Sequence, residues 1–176
     1  MKLKNISIAL AQNIIILLNG AQEKHIPKPS YQKSRGLIVL DLLANENVLD
    51  NWNAIDLQGI EPFTIVFFNG KGLFQLQWNE TKKTLQTLDI NKPHIWSSST
   101  LYEASVREQR KIWFEEFLSE EQNVTPNSIL DFHQFTQKEN KEFGLQINRG
   151  NILKTVSITQ CLYTNKESIS MQYLQL

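Results

Sequence analysis

Apolar residues recur along this chain with two periods, and the period sorts each stretch into strand or helix. Ile6 to Leu10 and residues 14–18 are β-rich apolar runs separated by the polar pair Gln12-Asn13, which predicts a β-hairpin. The second run has no polar alternate positions, so it reads as a strand buried on both faces. Past Pro27 and Pro29, Leu37 with Leu40 and Val39 with Leu43 fall at helical spacing, predicting a helix over 33–43. Asn47 is then placed to cap a short second helix containing Leu49 and Trp52. Residues 63–68, 73–78 and 84–88 read as a meander, with Asn69-Gly70 as the strongest hairpin signal between them. A further strand is predicted over 94–97. Thr100 and Glu103 have capping-box spacing ahead of a long helix over 103–118, which puts Val106, Trp113 and Phe117 on one face and the Glu103/Arg107 and Lys111/Glu115 pairs on the other. Thr125 and Pro126 start a third helix through Phe132, and strands are predicted over 143–148, 152–163 and 168–174. Runs of strands interrupted by helices and joined by tight turns imply an α+β fold with largely antiparallel sheets.

Composition narrows this picture. A chain of 176 residues reads as a single domain over 1–176 with room for a core. With 18 basic against 18 acidic residues and no run of five like charges, nucleic acid and anionic membrane surfaces are disfavoured as partners. One cysteine, Cys161, cannot form an internal disulfide, and the three histidines lack metal-ligand spacing. The basic start and apolar run over 6–18 imitate a secretory leader, but Gln12 and Asn13 interrupt it and the cleavage site is poor, so a cytoplasmic location is expected. The three Asn-x-Ser/Thr triplets at Asn5, Asn79 and Asn123 matter only in a secreted chain. No stretch reaches the ~20 apolar residues of a membrane span.

Several residues could carry chemistry, each beside a plainer role. Asn19 ends an apolar strand just before Gly20, where its amide could donate into a cleft or simply serve a turn. Arg35 could present a planar fork to a carboxylate or phosphate near a helix start, or make a surface ion pair. Ser97, Ser98 and Ser99 offer hydroxyls to a ligand or to nearby backbone. Thr155, Ser157 and Thr159 alternate onto one strand face, which is either a polar pocket or a wet surface. His94 and His133 read as hydrogen-bonded structural residues, Arg149-Gly150 as a turn, and Cys161 as a small packed hydrophobe.

Five segments taken in order resemble the NRDE family, also called the transport-and-Golgi-organisation family. They are Leu18-Asn19-Gly20-Ala21, Ser34-Arg35-Gly36, Ile60-Glu61-Pro62-Phe63-Thr64, the run from His94 to Tyr102, and residues 144–160 ending Thr155-Val156-Ser157-Ile158-Thr159-Gln160. The resemblance covers most of the chain. It implies an Ntn-hydrolase-like αββα sandwich of mostly antiparallel sheets. Family members carry a Cys directly after the initiator Met and then Asn-Arg-Asp-Glu; this chain has neither and joins the pattern near Ile6, so the fold is expected to be N-terminally incomplete, without a catalytic nucleophile. Where the family often has Asn in the middle of the serine turn, Ser98 stands here, which removes an amide from that position. The implied function is binding or carrying of a small hydrophobic metabolite, without a resident cofactor but with haem as a candidate ligand, because eukaryotic members are associated with haem trafficking. Asn19, Arg35, Ser97, Ser98, Ser99, Thr155, Ser157 and Thr159 are the expected ligand-binding residues. Two alternatives stand beside it: an Ntn-type amide or acyl hydrolase whose Cys-bearing segment is truncated, and a non-functional gene fragment. The family segment missing from this chain should supply neighbouring strands, so an unpaired sheet edge is expected near the first hairpin, with self-association as the outcome.

Overall fold

Strand pairing follows the apolar runs closely. The computed structural model describes residues 6–10, 13–44, 47–165 and 168–176, and these divide into two units. The first holds the described residues up to His94 together with Ser98–Glu103; the second holds Ile95–Ser97 and Ala104–Leu176.

In the first unit, Ile6–Leu10 (β1), Asn13–Asn19 (β2), Phe63–Phe68 (β3), Leu73–Trp78 (β4) and Lys83–Leu88 (β5) form one antiparallel sheet in the order β1-β2-β3-β4-β5. The predicted hairpin is present, with Leu10 opposite Asn13; Gln12, named as its turn, lies outside the described residues. The register places Ile15, Phe67 and Phe74 in one cross-strand row and Leu17, Ile65 and Leu76 in the next. Because strand side chains alternate, these rows share a face with Phe63 and Trp78. That face packs with Ile38, Val39 and Leu42 of Arg35–Leu43 (α1) and with Val48 and Trp52 of Val48–Ala54 (α2) as one core. Burying side chains of this size contributes roughly 1.5–3 kcal/mol each. The opposite face of β2 is more open, and Ile16 is exposed, so the expectation of burial on both faces holds for only part of the strand.

Both helices start where their side chains can serve orphan amides. Ser34 Oγ accepts from Leu37 N, and Asn47 Oδ1 accepts from Leu49 N and Asp50 N. The end of α2 is held from across the sheet: Lys83 Nζ lies 2.9 Å from each of the carbonyls of Trp52, Asn53 and Ile55. A cation at a helix C-terminus satisfies orphan carbonyls and opposes the dipole.

The second unit contains Ala104–Glu120 (α3), Pro126–Phe135 (α4), Asn148–Arg149 (β6), Leu153–Lys154 (β7), Ser157–Asn165 (β8) and Ser168–Gln175 (β9). Strands β6 and β7 pair as a short ribbon, and β8 pairs antiparallel with β9. Phe114 and Phe117 of α3 pack in tilted arrangements against Phe132 of α4, whose ring centre lies 5.4 and 5.0 Å from theirs. Thr125 and Ser128 form a reciprocal capping box at the start of α4.

Four expectations are corrected. Residues 94–97 form no strand: His94 Nε2 turns back to the Asp89 carbonyl at 2.8 Å, and Ser97–Ser99 direct their hydroxyls to other segments instead of a ladder. The Thr100/Glu103 capping box does not form. Leu101 N and Tyr102 N both bond to Ser98 O and Thr100 Oγ1 pairs with Ser98 Oγ, so a turn intervenes and α3 begins at Ala104. The strand expected over 143–148 shrinks to Asn148–Arg149, because Gly144 N and Phe143 N are drawn into a turn on Asn140. The strand expected over 152–163 is broken at Thr155-Val156, where Thr155 is tied to Ile147.

Candidate functional site

Asn19, Arg35, Ser98 and Ser99 fall in the first unit and converge on one stretch of backbone. Strand β2 ends at Asn19, and Gly20 follows with φ +84°, a left-handed turn that glycine adopts without strain. Gly20 N donates to Pro62 O at 3.0 Å, which brings the end of β2 against the chain entering β3. Arg35 donates from one guanidinium nitrogen to the same Pro62 carbonyl at 3.2 Å. From the other side, Ser98 Oγ donates to Asn19 O at 2.7 Å and Ser99 Oγ to Glu23 O at 3.2 Å. The serine turn is therefore a latch on the loop after β2. Its two buried hydroxyls are engaged with backbone carbonyls, which is the plainer of the two roles open to them. Behind the latch runs a buried polar chain: Gln22 Nε2 to Gln77 Oε1, Gln77 Nε2 to Thr64 Oγ1, and Thr64 Oγ1 to Gly20 O.

Arg35 carries the most chemistry of this group. It is the first residue of α1, where a cation works against the helix dipole, so helix stability does not account for it. Its side chain is only 18% exposed and lies 3.0 Å from Glu61 Oε2. Burial pulls its pKa below the ordinary value while Glu61 and Tyr31 act in the opposite sense; an arginine in this setting stays charged. One backbone hydrogen bond and one ion pair leave part of its five-donor fork unspent among the described residues.

Glu61 also reaches His25, whose Nε2 lies 3.2 Å from Oε1. A single carboxylate thus bridges an imidazole and a guanidinium, and His25 Nδ1 is buried with no hydrogen-bond partner among the described residues. His25 and Glu61 were not among the residues singled out from the sequence. They are 36 positions apart, and the only local signal was Glu61 standing beside Pro62 at the head of a strand.

The other expected residues belong to the second unit. Ser97 Oγ lies 3.5 Å from an Arg110 guanidinium nitrogen; the buried Arg110 also donates to the carbonyls of Phe143 and Gly144. Thr155 lies outside β8 and exchanges bonds with Ile147, its Oγ1 accepting from Ile147 N at 3.0 Å. Ser157 and Thr159 share one face of β8 with Cys161, opposite Gln175, Tyr173 and Met171 of β9. Burial pushes the Cys161 thiol pKa up. Among the described residues no group of His, Cys, Asp and Glu could hold a metal ion, and no helix is long and apolar enough to cross a membrane.

Compared with protein-family models, with curated proteins and with solved structures, the chain matches none of them.

Proposed function

We propose that this chain is an NRDE-like domain of the Ntn-hydrolase-like αββα type that binds or carries a small hydrophobic metabolite bearing an anionic group, with haem among the ligands to test. On this reading it acts without a catalytic nucleophile of its own, works in the cytoplasm, and self-associates through the β1 edge of the five-stranded sheet. The observation that carries the binding role is Arg35: a half-buried guanidinium at a helix start, where the dipole gives it no reason to be, held by Glu61 on the backbone junction that also anchors Asn19 and the serine turn. A fixed, partly desolvated fork of this kind suits a carboxylate.

The test is titration of the wild-type chain and of Arg35→Ala with haem and a panel of acyl metabolites. Loss of a charge-assisted contact should weaken binding by about 1.5–3 kcal/mol, roughly ten- to hundredfold. Equal affinities in two folded proteins, or no binding by the wild type across the panel, would overturn the reading.

A further inference from the structure

We propose that β9 is a pairing edge for a second copy of this chain: two copies join their β9 strands antiparallel, and each β8–β9 ribbon becomes half of a four-stranded sheet with its two-fold axis at Gln172. This surface is separate from the β1 edge and independent of the ligand reading.

The ladder defines which backbone groups are on offer. Leu176 N donates to Val156 O at 3.0 Å, one step beyond the Ser157–Gln175 pair. In an antiparallel pair, residues that exchange hydrogen bonds alternate with residues that do not, so the even-numbered positions of β9 spend their backbone groups on β8. Ile169, Met171, Tyr173 and Gln175 turn their N–H and C=O groups to the other side, where no strand pairs with them among the described residues. Strand β8 in turn packs with α4, and Gln160 Nε2 lies 2.6 Å from Pro126 O.

Sheet edges that stay single carry a device against pairing, such as a charge, a proline or a bulge. Strand β9 has none of these. Neither strand of the ribbon contains a charged side chain, a proline or a glycine. The one register shift falls between Tyr163 and Asn165 of β8, which leaves β9 an unbroken run from Ser168 to Gln175. Met171 and Tyr173 are exposed along it, and a two-stranded ribbon gains stability from further strands.

Side-chain register selects a second copy over a foreign strand. Gln172 is the midpoint of 168–176, so placing it opposite the partner's Gln172 overlaps the whole strand and sets the outward-facing residues against one another, each pair able to exchange two backbone bonds. Met171 then meets the partner's Tyr173, and Tyr173 the partner's Met171, which puts a thioether against an aromatic ring on both sides of the axis. On the opposite face Gln160 and Gln172 share a cross-strand row, and the second copy extends it by the same two residues. An amide both donates and accepts, so the row complements itself. The contact is isologous and closes as a dimer.

The test is sedimentation velocity on the full chain and on Gln172→Lys and Gln172→Glu, with circular dichroism to check folding. Gln172 is exposed, so neither substitution disturbs a core. Wild type should sediment as a dimer. Each variant alone sets like charges directly across the axis and should dissociate roughly tenfold more readily or worse. An equimolar mixture of the two should recover a dimer containing one copy of each, a result that misfolding cannot produce. A wild type that stays monomeric as its concentration rises would overturn the proposal, and so would a mixture that associates no better than either variant alone. Association of equal strength in wild type and both variants would also overturn it, and would leave the β1 edge as the surface in use.

Discussion

Replacing Gly20 with alanine should destabilise the first unit by about 2–5 kcal/mol, as two costs worked from its surroundings. Gly20 sits at φ +84°, where an L-residue is strained by roughly 1–2 kcal/mol. An added Cβ would also overlap the Ser99 hydroxyl and come within 3.0 Å of Thr100 Cγ2 and 3.2 Å of Thr100 N. A serine on the surface could rotate clear, but Ser99 is 2% exposed and its Oγ is engaged with Glu23 O. Overpacking a filled site typically costs about 1–3 kcal/mol. If the turn moved instead, the bonds from Ser98 to Asn19 and from Ser99 to Glu23 would stretch, each worth about 0.5–1.5 kcal/mol, so relaxation offers no cheap escape. Urea unfolding of wild type, Gly20→Ala, Ser99→Ala and the double variant closes a thermodynamic cycle. Removing the hydroxyl in the glycine variant should recover about 1 kcal/mol relative to additivity. A single variant within ~0.5 kcal/mol of wild type, or strictly additive costs, would refute the argument that the latch packs directly on Gly20.

Two further outcomes follow from other parts of the chain. Lys83→Met keeps the aliphatic stem but removes the ammonium from three carbonyls at the end of α2, and should cost about 1.5–3 kcal/mol in denaturant unfolding; a change under ~0.5 kcal/mol would show that water replaces it. Because burial raises the Cys161 pKa, less thiolate is present at a given pH, so iodoacetamide should label the folded chain more slowly than the urea-unfolded chain near neutral pH and catch up only as pH rises. By the same reasoning activated esters should leave no acyl adduct there, and a stoichiometric adduct abolished by Cys161→Ala would restore a nucleophile to this protein.

What was legible in the sequence was whatever a single segment decides by itself. The β-meander announced itself through successive short β-rich runs and through Asn69-Gly70, whose Gly70 adopts φ +80° while Asn69 Oδ1 accepts from Lys71 N and Gly72 N. Asn47 and Thr125 cap the helices they were expected to cap, because a cap bonds only two or three residues away. The serine turn shows where this stops. Thr100-x-x-Glu103 satisfies a local template, yet Ser98 finds Asn19 O 79 positions back, and the turn closed by Ser98 takes the hydroxyl the template needed. Local spacing cannot choose between a near partner and a distant one of equal strength; packing chooses.

The same limit applies to the candidate site, and more strongly, since nothing that assembles it is local. Pro62 O accepts from Gly20 N and from Arg35, and Glu61, one residue earlier, takes His25 on one oxygen and Arg35 on the other. Neighbouring positions at the head of β3 thus gather the end of β2, the loop behind it and the start of α1. A backbone carbonyl has no residue type, so no motif search could find the first of these contacts. Glu61 could have been found only as a carboxylate at the entrance of a buried strand, where an acid without a partner would be costly. That cost turns a plain sequence observation into a search rule: a carboxylate bordering a buried strand calls for charged or hydrogen-bonding partners from elsewhere in the chain, and here Arg35 and His25 supply them, Arg35 being the one on which the ligand reading depends.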